Sequence, residues 1–282
     1  MVRPPAAGVQ EQPGTDEDHG VTASEEIVTG RALVEAGSPI AGSMSRAAAT
    51  VVFEPSAAKV AVDDRFAACL RSVAGEAAAL TVPRERVRAG AALAFAVEYA
   101  ATLSRDGRPV RRDGWFAPRP GNRSVAEEVT ESVVAAARRS TDERRVRHLG
   151  YLLAEAAVSP DIDADLVVRA LRLADGCSWR QLALLAGAGR RDRVPLPMAA
   201  LEDDPRAWSA WAAREDVADL QRAGLVEPPV PGSRPGATLP RLRMADLRLT
   251  RRGVLVHRLL VLDLLHDDAV AAALADLGLP RS

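Results

Sequence analysis

The chain has 282 residues, of which 48% are hydrophobic and 27% are charged, and its formal net charge is −1. This composition is typical of a globular protein with enough apolar material for one large domain or two ordinary ones. A net charge near zero excludes nucleic-acid binding driven by overall charge, so any such role needs a local positive patch.

Residue usage favours helices over strands. Aromatic residues make up only 4% of the chain, whereas alanine and leucine, which favour helix, are abundant. Lys59 is the only lysine and Asn122 is the only asparagine, a bias typical of a high-GC bacterial genome. The many arginines are therefore not evidence of selection for arginine chemistry.

The sequence predicts neither secretion nor a membrane span. The first residues lack the basic-then-apolar pattern of a signal peptide. The longest apolar stretch, 89–103, is short for a bilayer and carries Glu98. Cys69 and Cys177 lie far apart, and although a disulfide between them stays open, two buried thiols in a reducing cytosol are expected. We therefore expect a cytoplasmic protein without membrane contact.

The first two thirds of the chain predict a short tail and a helical bundle. Residues 1–21 are rich in Pro, Gly, Gln and acidic residues, a composition that predicts a disordered tail. Apolar residues recur at helical spacing through the bundle, residues 22–187. Helices are predicted at about 23–37, 62–80, 83–104, 124–158 with a break near Ser140, 163–176 and 179–185. Residues 40–60 fit either a helix or a strand.

Capping residues mark the predicted helix starts. Ser124 with Glu127, and Ser178 with Gln181, have the spacing of a capping box. In this motif a hydroxyl and a carboxylate or amide satisfy two free backbone N–H groups at the start of a helix. Thr250 is a single N-cap candidate.

The polar loop 105–123 is the best candidate for a functional surface. It carries six arginines and two aspartates, a net charge of +4, around Trp115 and Phe116. Arginines interleaved with aromatic rings can hold phosphate and stack on bases, or they can anchor a partner protein. Alternatively, the two rings plug the loop into the core while the arginines stay solvated. The candidate interaction residues are Arg108, Arg111, Arg112, Trp115 and Phe116.

The C-terminal third differs from the preceding bundle in its pattern of predicted elements, which indicates a second domain. A linker containing Gly and Pro spans 188–197, and the following module covers 198–280. Its predicted elements are a helix at about 205–223, an extended Leu225-Val226, a Pro/Gly-rich excursion at 227–239, a returning strand at 242–249, and helices at 251–265 and 268–277.

Two segments of this module carry a resemblance to a known fold. Residues 219–226 (Asp-Leu-Gln-Arg-Ala-Gly-Leu-Val) and 247–253 (Leu-Arg-Leu-Thr-Arg-Arg-Gly) resemble the wing region of winged-helix domains, over about residues 198–265. The resemblance implies a small winged-helix-like α+β module. Together with the N-terminal helical bundle predicted from periodicity, it gives the expectation of a mainly α chain. Residues 81–186 also resemble uncharacterised helical bacterial proteins, which implies helicity and no particular activity.

Winged-helix domains bind DNA or act as protein-interaction modules. The fold alone therefore does not predict which of these functions the module has, and its side chains must be considered. The candidate wing offers Arg234, Arg241 and Arg243 to phosphate. The helix before Gly224, however, carries acidic residues that repel phosphate. Trp208 and Trp211 on that helix are interpreted as core or interface anchors and not as base contacts.

Local catalytic motifs are absent from the sequence. There is no Gly-x-x-x-x-Gly-Lys, His-Glu-x-x-His, Cys-x-x-Cys or Gly-x-Ser-x-Gly pattern. Asp263 and His266 could share a helical face and ligate a metal, but a capped helix junction is the simpler interpretation. We therefore expect no enzymatic activity, cofactor or metal, although an enzyme with a dispersed site leaves no local motif.

The last helices predict an association surface. Residues 251–277 are apolar on most sides, so they must be buried within the chain or in a homodimer. The leading hypothesis is a non-enzymatic regulatory or scaffolding protein that acts through a protein partner or through self-association by residues 251–277. The alternative is a winged-helix DNA-binding transcriptional regulator, whose DNA affinity would depend on salt.

Overall fold

The computed structural model describes residues 23–193, 196–202, 205–227 and 242–278, and these residues contain twelve α-helices and no β-strand. The predicted disordered tail at 1–21 lies outside the described residues. The helices are α1 (Ala23–Glu35), α2 (Ser38–Ala41), α3 (Ser43–Phe53), α4 (Asp64–Leu80), α5 (Pro83–Arg105), α6 (Val125–Arg139), α7 (Glu143–Val158), α8 (Ala164–Asp175), α9 (Trp179–Arg190), α10 (Trp208–Arg222), α11 (Arg251–Leu259) and α12 (Asp267–Asp276).

The predicted helix starts are confirmed by their hydrogen bonds. The Ser124 N–H donates to Glu127 Oε2 at 2.9 Å, and the Glu127 N–H donates to Ser124 Oγ at 3.2 Å. The second capping box is formed by Ser178 and Gln181 at 2.7 and 3.1 Å. The predicted break near residue 140 is present, but the N-cap of α7 is Asp142. The spacing of capping residues in the sequence therefore predicted where these helices begin to within a few residues.

Residues 40–60, ambiguous in sequence, are largely helical. The helix α3 buries Ala48, Ala49, Val51 and Val52, a set of small and branched side chains that packs against α5. The periodicity alone did not distinguish a strand from a helix here, because the apolar run is short.

The helix α5 forms the centre of the bundle. Residues 89–97 are buried without interruption, because α1, α3, α6 and α7 pack around this helix. Small residues permit close crossings: a Cβ added at Gly90 would lie 2.0 Å from the Leu33 carbonyl oxygen, and one added at Gly150 would lie 2.4 Å from the Ala92 carbonyl oxygen. Among the described residues, no helix has both the length and the apolar character needed to cross a bilayer.

The C-terminal helices pack on the bundle. Val256, Leu259, Leu260 and Leu262 are buried in the same continuous hydrophobic core as the N-terminal helices. The helix α9 extends to Arg190, so the predicted linker at 188–197 begins within a helix. The apolar faces of the last helices are thus largely covered inside the chain.

The prediction of a winged helix is wrong for the described residues. Val226 pairs with Leu249 only as an isolated bridge, and the predicted returning strand at 242–249 contains a 3₁₀ turn at Met244–Asp246. Met244 and Leu247 are both buried, and their spacing of three suits a 3₁₀ turn and not an alternating strand. Residues 228–241, which include most of the Pro/Gly-rich excursion and both Arg234 and Arg241, lie outside the described residues.

Acid is expected to destabilise the fold through His148. Its imidazole is 3% exposed, and its Nδ1–H donates to the Leu260 carbonyl oxygen at 2.8 Å. Burial lowers the pKa of His148 from 6.5 to about 4. Because the unfolded chain takes up the proton first, His148 contributes stability above pH 6.5 that is lost as the pH falls through about 4, in total up to about 3 kcal/mol.

Urea unfolding at pH 7 and about pH 4.5 measures this loss. The His148→Gln variant should lose less stability between the two pH values than the wild type, by about 2 kcal/mol. His266→Gln is the control, because the His266 side chain is 81% exposed. Equal acid losses in the wild type and in His148→Gln would contradict the prediction.

Candidate functional site

The loop 105–123 is held to the bundle by a buried arginine. The Arg111 backbone N–H donates to the Ala157 carbonyl oxygen at 3.0 Å. Its Nη1 donates to the carbonyl oxygens of Ser159 and Ile162 at 2.9 and 2.6 Å, and its Nε donates to Asp113 Oδ1 at 2.9 Å. The side chain of Arg111 therefore joins the loop to the segment that follows α7.

The two aromatic residues of the loop also face inward. Trp115 is 6% exposed, and the Arg111 guanidinium lies 4.2 Å from the centre of its ring. Phe116 is half-buried and meets the Phe66 ring edge-on at 6.3 Å. Trp115 is not free to stack on a base or to enter a partner's pocket without rearrangement of the loop. Phe116 contacts Phe66, and the Arg65 guanidinium lies 5.8 Å from the centre of its ring, so only part of this ring is open.

Arg108 is engaged with a buried carboxylate. Its two terminal nitrogens donate to the two oxygens of Glu155 at 2.8 and 2.7 Å, and Glu155 is 4% exposed. The Tyr99 hydroxyl donates to the same carboxylate at 3.0 Å. Burial, reinforced by the negative charge of Glu155, raises the pKa of Tyr99. A bidentate pair of this kind holds the loop in place.

Arg112 is the remaining candidate on this loop. It is exposed and forms no ion pair with a described residue. Four of the five predicted interaction residues thus have partners within the chain, and the five do not form a common exposed patch. Binding through this loop stays a prediction.

Of the three arginines of the candidate wing, Arg243 lies within the described residues, and its Nε is 3.3 Å from Asp246 Oδ2.

Among the described residues, two tryptophans at the start of α10 form an exposed aromatic surface. Trp208 is 81% exposed and Trp211 is 46% exposed. Their rings meet edge-to-face with centroids 5.8 Å apart. They are exposed because α10 buries a narrow face, made of Ala213, Val217 and Leu220, and the tryptophans lie off that face. The sequence had indicated core or interface anchors, and Trp208 is not a core residue.

Ion pairs fix the helix that carries these rings. Arg180 on α9 bonds Asp216 on α10 at 2.5 Å and reaches Asp276 on α12 at 3.3 Å. Gln181 Nε2 donates to Asp219 Oδ2 at 3.3 Å. The tryptophan pair, defined as Trp208 and Trp211, therefore projects from a helix that is tied to two others.

Neither cysteine has the features of a nucleophile. Cys69 and Cys177 are buried free thiols, as expected from the sequence. Burial raises the pKa of Cys69 to about 12 and that of Cys177 to about 11, so both stay protonated at neutral pH.

The predicted helix junction near His266 is present in a different form. His266 is the N-cap of α12, and its Nδ1 accepts from the Asp268 N–H at 3.3 Å. No cluster of three or more His, Cys, Asp or Glu side chains with metal-binding geometry occurs in the described ranges.

No family model, curated protein or solved structure matches this chain. Its function is therefore inferred from the geometry of its own side chains.

Proposed function

We propose that this protein is a non-enzymatic regulatory or scaffolding protein that binds another protein through the tryptophan pair. The observation that carries the proposal is the exposure of Trp208 and Trp211 on a helix held by ion pairs. Tryptophan is enriched among the residues that dominate binding energy at protein interfaces. Large aromatic rings exposed together on a soluble surface are a recognised mark of an interaction site.

The position of the two rings favours their insertion into a pocket on the surface of a partner protein. A tryptophan buries roughly 150–250 Å² when fully covered. Trp208, at 81% exposure, still has most of that area to contribute. Since α10 is already fixed by Arg180, little ordering of the backbone is needed on binding, which favours affinity.

Affinity capture from cells of origin tests this proposal. The double variant Trp208→Ala/Trp211→Ala should lose at least one specific, saturable partner that the wild type retains. Because both rings are exposed, we expect the melting temperature of the variant to change little.

Leu80→Ala is the matched control. Leu80 is 72% exposed on α4, so this variant also removes exposed apolar surface, but at another site. It should keep the partner. An identical set of bound proteins for the wild type and the double variant would refute the proposal.

Self-association through residues 251–277 is a separate form of the same hypothesis. Val254 and Leu264 are the large exposed apolar side chains of that segment, at 52% and 56% exposure. Light scattering across a concentration series tests it directly.

The alternative hypothesis, a DNA-binding regulator, depended on the winged helix, and no feature of the described residues now favours it.

A further inference from the structure

A cleft lies between the bundle and residues 264–269, which form the end of the α11–α12 connection and the start of α12. Its volume is about 540 Å³, within the range of sites that hold small organic molecules. The elements around it are α2, α5, α7, α9 and residues 264–269. The lining residues that determine its chemistry are Glu143, Arg144, Arg147, His148, Trp179 and Asp268.

Aromatic rings form one wall of this cleft. The His148 and Trp179 rings are tilted to each other with centroids 5.9 Å apart, and Tyr151 packs edge-on against His148 from behind at 5.7 Å. Trp179 is only partly buried, and the Arg144 guanidinium lies over its ring, so the part of the indole that Arg144 and His148 leave uncovered is open to a ligand. A flat apolar molecule can stack on such a wall.

His148 supplies a hydrogen-bond acceptor on this wall. Its Nδ1–H donates to the Leu260 carbonyl oxygen, and because burial lowers its pKa to about 4, the ring is neutral at pH 7. The proton on Nδ1 leaves the other nitrogen, Nε2, as a lone-pair acceptor. Nε2 has no partner among the described residues. A buried, oriented imidazole of this kind selects a ligand with a donor group.

Arg147 supplies the positive charge. Its guanidinium lies 4.9 Å from the centre of the Phe95 ring and forms no ion pair with a described residue. Arg144, 4.8 Å from the Trp179 ring, is by contrast neutralised by Asp142, with Nη2 at 2.6 Å from Oδ2. The charge of Arg147 also acts on the nearby carboxyl of Glu98, but no ion pair forms between them, so the Arg147 guanidinium is available to bind an anion.

The acidic residues of the cleft limit the charge of that anion. Glu143 and Asp268 are exposed side chains on its lining. They would strongly repel a polyanion such as a nucleoside triphosphate. A single carboxylate meets less of this repulsion, and Arg147 can hold it in bidentate fashion.

From this geometry we infer that the cleft binds a small, flat, monoanionic aromatic acid bearing a hydroxyl or amino donor. The carboxylate pairs with Arg147, the ring stacks against Trp179, and the donor bonds Nε2 of His148. This inference goes beyond the proposed function, since no residue of the cleft belongs to α10.

Fluorescence titration with 6-hydroxy-2-naphthoate tests the inference on the full chain. The neutral isostere 6-hydroxy-2-naphthamide has nearly the same shape without the charge. We expect the acid to bind about tenfold more tightly than the amide, since a hydrogen bond to a charged group is worth about that factor in affinity. 2-Naphthoate, which lacks the hydroxyl, should bind more weakly than the hydroxy acid.

Arg147→Gln should reduce the affinity for the acid to that for the amide. Arg169→Gln is the matched control, because Arg169 is also exposed on a helix and without a described ion pair. It should leave both affinities unchanged, and so should Trp208→Ala/Trp211→Ala, which separates this site from the proposed interaction surface.

Three results would overturn the inference: no binding of the acid at millimolar concentration, equal affinity for acid and amide, or unchanged acid affinity in Arg147→Gln. Equal affinity for 2-naphthoate and the hydroxy acid would remove His148 from the site.

Discussion

Arg111→Met is expected to lower the free energy of unfolding by about 3–5 kcal/mol, because at least two buried carbonyl oxygens lose their donor at about 1–3 kcal/mol each. Arg111 is 8% exposed, and its guanidinium satisfies carbonyl oxygens at the end of α7 and beyond it. Methionine keeps much of the apolar stem but leaves those oxygens without a donor, which costs free energy for each buried group. Urea denaturation monitored by circular dichroism measures the change.

Two neighbouring variants make this measurement specific. Arg112→Met changes an exposed arginine one residue away, so its effect should stay within about 0.5 kcal/mol. Arg111→Lys keeps the charge but loses the planar fork, so it should recover only part of the stability. A fully stable Arg111→Met protein would show that the loop is not held by this side chain.

Gly90→Ala is expected to destabilise the protein by about 3 kcal/mol or more, at the upper end of the cost of overpacking a core. The added methyl group would lie 2.0 Å from the Leu33 carbonyl oxygen and 2.9 Å from the Gly37 backbone nitrogen. Both are backbone atoms, so relief requires α1 and α5 to move apart. Thermal and urea unfolding should both report the loss.

Gly176→Ala is the control for intrinsic glycine effects. An added Cβ there meets its nearest atom at 3.6 Å, and the backbone has φ −75° and ψ −7°, which alanine adopts readily. This variant should change stability little or increase it by up to about 1 kcal/mol. Equal stability of Gly90→Ala and the wild type would mean that α1 and α5 can separate at this crossing without a measurable loss of stability.

The helical character of the bundle was predictable because it depends on near neighbours in sequence. A capping box such as Ser124 with Glu127 closes within one turn, so its spacing is sufficient to predict it. The winged-helix prediction failed because a β-pair depends on residues that are distant in sequence. Val226 and Leu249 do pair, but only as an isolated bridge, which is too short to form the β-hairpin of a wing.

The candidate sites were less predictable, since a charge count does not show where a side chain lies. The cluster of arginines in 105–123 suggested an exposed basic loop, yet Arg111 is buried and Arg108 pairs with Glu155. The cleft was missed entirely. Arg147 and His148 look alike in sequence as polar residues on one helix, but one is exposed and the other is 3% exposed.

The sequence by itself determined that this chain is mainly helical and where many of its helices begin, because helix periodicity and capping act within a few residues. Only the tertiary structure decided the rest. It placed Arg111 in the interior, exposed Trp208 and Trp211, and assembled a cleft from α2, α5, α7, α9 and residues 264–269. Those outcomes depend on which helix faces meet, and helix packing joins residues as far apart as His148 and Leu260.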